Sequence, residues 1–199
     1  MTPLLLAITF KVLGIDCAMC APPVKKALAS VAGVTSVRVD TRAKTATVEG
    51  NPDPAKIHEA LANAGFEAEL PGEHRPDFAP LPPAELAKLD IVAFDGKSKL
   101  DIEKSLAPGK ITIVDFYADW CGPCTVLERR LERYMAAHPN IALRRVDIGK
   151  WNNAAARQAT SLGAAALPYV RVYAPNGKFV RAVTGGMWDE MLDALEKAR

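Results

Sequence analysis

The sequence predicts an α/β protein made of two domains, and three observations support that fold class. Patterns typical of strands and helices alternate through residues 1–70 and again through residues 89–199. A proline-dense segment, residues 71–88, separates these two stretches. The chain of 199 residues suffices for two small domains, and its hydrophobic content of 49% favours folded cores over disorder.

The first domain carries four strand patterns and two helical patterns. The strand patterns lie at Ile8–Leu13, Val34–Val39, Thr45–Val48 and Phe66–Leu70. Apolar residues recur at helical spacing at Val24, Ala27, Leu28 and Val31, and again at Ile57, Ala60, Leu61 and Ala64. The predicted order is therefore strand-helix-strand-strand-helix-strand, which is the ferredoxin-like βαββαβ arrangement.

The linker between the domains is predicted from its prolines. Because proline-rich chains favour extended polyproline conformations, residues 71–88 are expected to be semi-rigid. The two domains, residues 1–70 and residues 89–199, are therefore expected to be spaced apart.

The second domain is organised around the segment Trp120–Cys124. The apolar run Ile111–Tyr117 before it predicts a buried strand. An amphipathic helix beginning near Thr125 is predicted from the spacing of Leu127, Leu131, Tyr134 and Met135. The two cysteines of the segment are thus expected at a strand-to-helix turn. Further along, Asn176-Gly177 between two strand patterns predicts a hairpin.

A redox role for Cys121 and Cys124 follows from that position. The N-terminus of a helix favours a thiolate over a thiol. Cys121, expected to be the more exposed of the pair, is predicted to attack a substrate disulfide, and Cys124 to resolve the mixed disulfide. Pro123 stiffens the turn, and Gly122 allows the backbone of a partner to come close. The predicted redox group is the Cys121–Cys124 disulfide, with no organic cofactor.

The segment Val114–Cys124 resembles the active-site segment of the thioredoxin family. Further along, Arg145–Ile148 resembles the next strand of that family, and Leu162–Val170 resembles the segment that carries its cis-proline. The resemblance extends over about residues 90 to 199. It implies a thioredoxin-like α/β domain with a central mixed sheet.

The resemblance also implies roles for residues outside the cysteine pair. Asp115 would be the buried carboxylate that serves as a base for Cys124; the alternative is a buried acid paired to a cation such as Arg145. Pro168 would be the cis-proline that faces the dithiol, whereas a lone X-Pro bond is usually trans. The residues that support the active-site turn would be Trp120, Gly122 and Pro123.

Two features resemble the reducing branch of the family, namely the Gly122-Pro123 insert and the apolar Leu167 before the proline. They imply a dithiol potential near roughly −270 mV, and hence a protein-disulfide reductase. The expected partners are protein disulfide substrates and an electron-donating reductase.

The segment Gly14–Cys20 lies on the loop before the first helix and resembles the heavy-metal-associated domain of soft-metal ATPases, copper chaperones and the periplasmic mercury-binding protein. The resemblance implies that Cys17 and Cys20 bind Cu(I) or Hg(II), soft ions that accept two sulfur ligands. Zn(II) would need more ligands. The alternatives for these two cysteines are a second redox pair or two incidental thiols.

Asp16 stands where the copper and mercury branches of that family commonly carry threonine. It resembles the aspartate that precedes the first cysteine in some zinc-exporting ATPases, so it could add an oxygen ligand for Zn(II), Cd(II) or Pb(II). A helix cap or a solvated side chain explains it equally well. The metal therefore stays open among Cu(I), Hg(II) and Zn(II).

The composition of the chain limits the classes of binding partner and the cellular compartment that we expect. All four cysteines fall in two Cys-x-x-Cys pairs, a usage typical of metal or redox sites in a reducing compartment. The cytoplasm is predicted, although a periplasmic protein without its signal peptide would have the same usage. The net charge of +2 is too small to indicate a nucleic-acid partner. The apolar start, Pro3–Ile8, is too short for membrane insertion.

The two motifs together predict a thiol-disulfide reductase coupled to soft-metal handling. Its second domain would reduce Cys17 and Cys20, or a metal-site disulfide in a metal transporter or metalloprotein, because only reduced thiols bind metal. The competing prediction is a metallochaperone or detoxification protein with a secondary thioredoxin-like domain. A third is that metal inhibits the enzyme at Cys121 and Cys124.

Overall fold

The computed structural model describes residues 7–75 and 78–199, which form two domains with one sheet each. Most of the apolar start, Pro3–Ile8, lies outside the described residues. None of the helices within residues 7–75 and 78–199 combines the length and the apolar composition that a membrane span requires.

The first domain has the predicted βαββαβ order. Its strands are β1 Ala7–Leu13, β2 Val34–Asp40, β3 Thr45–Gly50 and β4 Glu67–Glu69, and its helices are α1 Ala21–Ala29 and α2 Pro54–Asn63. The strands pair in the order β2-β3-β1-β4, and every pair is antiparallel. Both helices carry proline in the first turn, where no intrahelical hydrogen bond is lost. The ferredoxin-like prediction is confirmed.

The core of this domain lies between its sheet and its two helices. The predicted helical spacing is confirmed, because Leu28 of α1 and Leu61 of α2 are fully buried. They pack in one cluster with residues of the sheet such as Phe10 and Val48. Burying each such side chain contributes about 1.5–3 kcal/mol to the free energy of unfolding.

The second domain contains a mixed sheet, as the resemblance implied. Its strands are β5 Asp90–Phe94, β6 Ile111–Tyr117, β7 Ile141–Asp147, β8 Tyr169–Tyr173 and β9 Phe179–Thr184. Its helices are α4 Ile102–Ser105, α5 Gly122–Ala137, α6 Ala154–Ser161 and α7 Trp188–Lys197, while α3 Pro83–Leu86 lies in the predicted linker. The order is β5-β7-β6-β8-β9, in which β8 and β9 are antiparallel to their neighbours and the other strands are parallel.

The central strand β6 leads the chain to the active-site turn. Its residues are buried as far as Phe116, which explains the continuous apolar run in the sequence. Helix α5 then begins at Gly122 rather than near Thr125, because Pro123 fits the first turn and extends the helix back to the cysteine pair.

The prediction that the linker keeps the two domains apart is wrong. Arg130 of α5 forms an ion pair with Glu67 of β4, and both side chains are more than nine-tenths buried. Arg133 of α5 also donates a hydrogen bond of 2.9 Å to the carbonyl oxygen of Ala79 in the linker. Proline content reports only local stiffness, and a stiff segment still permits contact when the chain turns back on itself.

Candidate functional site

The cysteine pair of the second domain lies at the N-terminus of α5. Cys121 is the N-cap residue, and its Sγ accepts a hydrogen bond of 3.3 Å from the backbone N–H of Cys124. The two residues form a disulfide. Cys121 is 6% exposed and Cys124 only 1%, so the predicted nucleophile is the more exposed of the two. The helix N-terminus stabilises negative charge on sulfur once the disulfide is reduced.

Trp120 and Pro168 both lie near this turn. The indole Nε1 of Trp120 donates a hydrogen bond of 2.7 Å to the carbonyl oxygen of Gly149. The Leu167–Pro168 peptide bond is cis, as the resemblance implied. A Cβ added at Gly186 would lie 3.4 Å from Pro168 Cγ and 3.6 Å from the carbonyl oxygen of Pro123. Pro168 is therefore close to the turn that bears the cysteines.

Asp115 is a buried acid on β6, only 1% exposed. One of its carboxylate oxygens lies 3.5 Å from Nε of Arg145, while Oδ1 has no hydrogen-bond partner among the described residues. Arg145 also pairs with Glu128 and stacks over the ring of Tyr117 at 3.7 Å. Burial raises the pKa of Asp115 to about 6, because the shared guanidinium compensates only part of the desolvation. Both the predicted buried carboxylate and its alternative, pairing with Arg145, describe this residue.

The loop of the first domain presents two free thiols. Cys17 is exposed and Cys20 is buried, and their sulfur atoms lie 2.7 Å apart. Cys20 ends a short 3-10 turn that continues into α1. Burial raises the pKa of the Cys20 thiol, and its hydrogen bond with Cys17 acts in the same direction. The exposed Cys17 is therefore the accessible sulfur of this pair.

The donor atoms at this loop fit a soft two-coordinate ion. Across residues 7–75 and 78–199, no group of three or more His, Cys, Asp or Glu side chains is arranged to bind a metal. Asp16 forms an ion pair with Lys44 instead of joining the two thiols in such a group. Cys17 and Cys20 would hold such an ion through their two thiolates.

Three of the four cysteines open onto one cavity between the domains. This cavity has a volume of about 590 Å³ and is lined by both members of the first pair and by Cys121. Aromatic and apolar residues complete its wall, namely Phe66, Trp120, Trp151 and Leu167. The sequence suggested that the second domain could reduce Cys17 and Cys20, but because the domains were expected to be spaced apart, it did not predict that the two motifs share a cavity.

Arg130 was also missed, although the sequence contained a signal for it. Arg130 falls between Leu127 and Leu131 on the apolar face that predicts α5. A charged residue inside an apolar stripe requires a buried partner. Glu67 of the first domain supplies that partner.

Two family models match the chain, one for each domain. Residues 9–67 match the heavy-metal-associated domain, and residues 97–197 match thioredoxin, which is half of the chain. The chain belongs to the thioredoxin family. It is a fusion in which a heavy-metal-associated domain precedes the thioredoxin domain.

Curated thioredoxins resemble the second domain. The chloroplastic thioredoxin F of Oryza sativa subsp. japonica is 30% identical over 98 residues, 49% of this chain and 50% of that protein. Thioredoxin-1 of Saccharomyces cerevisiae is 29% identical over 89 residues, 45% of this chain and 82% of that protein. This thioredoxin-family chain thus spans about half the length of the chloroplastic relative.

A solved structure resembles the first domain. Oxidized MerP from Ralstonia metallidurans is 30% identical, with a TM-score of 0.32, over 34% of this chain and 97% of that chain.

Proposed function

We propose that this thioredoxin-family protein is a protein-disulfide reductase that acts in soft-metal handling through its heavy-metal-associated domain. The observation that carries the proposal is the cysteine pair at the N-terminus of α5, with Cys121 the more exposed sulfur and cis-Pro168 close to the same turn. This arrangement supports attack on a disulfide by Cys121, and the burial of Cys124 keeps that thiol from reacting before the mixed disulfide has formed.

The mechanism has two exchange steps. The Cys121 thiolate attacks one sulfur of a substrate disulfide, forms a mixed disulfide and releases the other sulfur as a thiolate. Cys124 then loses its proton and attacks the Cys121 sulfur, which frees the reduced substrate and forms the Cys121–Cys124 disulfide. Asp115, with a pKa of about 6, is ionised at neutral pH and suits the role of proton acceptor for Cys124. Two electrons pass to the substrate in each cycle.

The reducing direction is supported by the Gly122-Pro123 insert and by the apolar Leu167 before cis-Pro168. A dithiol of this kind remains useful only if a reductase restores it, so we include an electron-donating reductase among the partners. The reducing cytoplasm suits both this dithiol and a two-thiol metal site.

Cys17 and Cys20 would hold the metal in the first domain. Two thiolates favour Cu(I) or Hg(II), because Zn(II) prefers four ligands and Asp16 is engaged by Lys44. A metal transporter or a metalloprotein would exchange the ion with this site. The exposure of Cys17 favours a second candidate function, in which the protein is a metallochaperone that passes the ion by ligand exchange.

Insulin disulfide reduction by the intact protein tests the enzymatic proposal. Replacement Cys121→Ser should abolish turnover, because the attacking sulfur is lost, while Cys17→Ser/Cys20→Ser should leave turnover unchanged. Turnover that survives Cys121→Ser would exclude the reductase as described.

Competition titration of the reduced protein with Cu(I), Zn(II) and Hg(II) tests the metal proposal. We expect one ion per chain, with Cu(I) and Hg(II) bound in preference to Zn(II), and loss of binding only in Cys17→Ser/Cys20→Ser. Binding that also disappears in Cys121→Ser/Cys124→Ser would mean that both pairs form the site, and the separate metal site would be wrong.

A further inference from the structure

The shared cavity brings the two cysteine pairs of one chain together. Cys17, Cys20 and Cys121 all line this cavity of about 590 Å³. We propose that the Cys17–Cys20 disulfide, when it forms, is the substrate of the Cys121–Cys124 dithiol in the same molecule. This inference rests on the proposed reductase function and names its substrate.

Two backbone contacts bring the domains close beside the cavity. A Cβ at Gly122 would lie only 2.0 Å from the carbonyl oxygen of Gly14, and a Cβ at Gly65 only 2.2 Å from that of Gly185. Only glycine permits approach this close at either position. The first contact lies between the active-site helix and the start of the metal loop, so the two motifs face each other at contact distance.

A buried ion pair joins the two domains. Arg130 pairs with Glu67 and also donates a hydrogen bond of 3.4 Å to the carbonyl oxygen of Ala62, so it contacts both β4 and α2. The rings of Phe78 and Trp188 lie 5.9 Å and 5.5 Å from its guanidinium carbon. Sliding the domains apart would take the buried Arg130 away from Glu67, whose other cationic neighbour, Arg75, lies in the linker, so the pairing favours this arrangement.

The accessibility of the sulfurs selects the reacting pair. Cys17 is exposed and Cys20 is buried, while Cys121 is the more exposed member of its pair. Cys121 should therefore attack Cys17 rather than Cys20. Cys20 then leaves as a thiolate at the start of α1.

The exchange balances in electrons and protons. Attack of the Cys121 thiolate breaks the Cys17–Cys20 bond, forms a Cys121–Cys17 bond and leaves a Cys20 thiolate, which takes up a proton. Cys124 then gives up a proton and attacks Cys121, which breaks the Cys121–Cys17 bond and releases Cys17. Two electrons have moved, the first pair is a dithiol competent to bind metal, and the second pair is a disulfide.

The covalent linker between the domains favours the Cys17–Cys20 disulfide over disulfides on other proteins. Two groups joined by a short linker meet at an effective concentration in the millimolar range. A disulfide on another protein competes at its own, lower concentration. The thioredoxin domain would therefore restore its own metal site before it serves other substrates.

Reduction of the Cys17–Cys20 disulfide by dithiothreitol tests the proposal in the full chain. Protein oxidised at both pairs is mixed with dithiothreitol, quenched with acid and alkylated, and Cys17 and Cys20 are followed in the tryptic peptide 12–25. We expect reduction roughly tenfold faster in the wild type than in Cys121→Ser/Cys124→Ser, because the relay adds a tethered dithiol. Equal rates would overturn the proposal.

The covalent intermediate provides a second measurement. With only Cys17 and Cys121 left, in Cys20→Ser/Cys124→Ser, one equivalent of diamide should link peptides 12–25 and 111–129 within a monomer, to an extent unchanged by dilution. The matched variant Cys17→Ser/Cys124→Ser should form the link more slowly, because Cys20 is buried. A link found only between molecules would exclude the intramolecular step.

An interface variant separates this inference from the proposed function. Arg130→Glu should remove the rate advantage, whereas Lys104→Glu, an exposed charge reversal outside the interface, should keep it. Both variants should still reduce insulin. Insulin reduction without any relay would refute only this inference, while failure of the wild type to reduce insulin would refute the proposed function itself.

Discussion

Asp115 illustrates how burial sets the chemistry of a single residue. The carboxylate is 1% exposed, and its partner Arg145 also pairs with Glu128. A buried charge with a shared counterion is only partly compensated, so the pKa rises from 3.8 to about 6. The same environment that suits proton transfer therefore costs stability.

The stability cost leads to a prediction for Asp115→Asn. Because the folded pKa lies above the unfolded one, the folded state binds the proton more tightly, and the free energy of unfolding falls as pH rises from about 4 to about 6. Asparagine carries no such charge. We expect the free energy of unfolding of the variant to exceed that of the wild type by about 1–3 kcal/mol at pH 8 and by little at pH 4. Urea unfolding of the oxidised protein at both pH values measures this gain; a gain that is equal at both would contradict the assignment.

Helix α5 combines three tasks in one element. Its first turn presents Cys121, its apolar face buries Leu127 and Leu131, and Arg130 on that face reaches the other domain. Gly122 belongs to the first turn and lies against Gly14. The sequence of the helix therefore serves the active site, the core and the interface at once.

Gly122→Ala should separate these tasks. Alanine favours a helix over glycine by about 0.5–1 kcal/mol, but its Cβ would lie 2.0 Å from the carbonyl oxygen of Gly14. We expect the contact to open and iodoacetamide to alkylate Cys121 at least about threefold faster in a reduced Cys124→Ser background. Thr125→Ala, at an exposed position of the same helix, is the control. An unchanged alkylation rate would mean that this contact does not cover Cys121.

A few charged residues connect the two domains. Arg130 and Glu67 form the buried pair, and Arg75 of the linker lies 3.4 Å from the same glutamate. Removing one partner from a buried pair costs about 3–5 kcal/mol, since the other charge stays buried. That cost is large compared with the total stability of a small domain.

Arg130→Glu should therefore uncouple the domains. We expect wild type to unfold in one thermal transition and the variant in two, with faster proteolysis within residues 71–88. Lys104→Glu has the same charge change at an exposed site and should unfold like the wild type. A single transition in Arg130→Glu would show that other contacts dominate the interface.

Local signals explain which parts could be predicted. The spacing of the apolar residues predicted α1, α2 and the buried strand β6, because each element must present an apolar face to its core. The cis peptide bond before Pro168 was predicted only from the resemblance to the thioredoxin family, since the local preference of an X-Pro bond is trans. The start of α5 was placed three residues late, because the proline in its first turn interrupts the apolar pattern.

The sequence by itself determined the order of strands and helices along the first domain and the two Cys-x-x-Cys motifs, because these depend on residues close together in the chain. Only the tertiary structure decided that Cys17 and Cys121 line one cavity and that Arg130 pairs with Glu67. Such contacts depend on how two finished surfaces fit, and no periodicity records that fit. The composition of the linker indicated its stiffness but not its direction, so the prediction of separated domains failed.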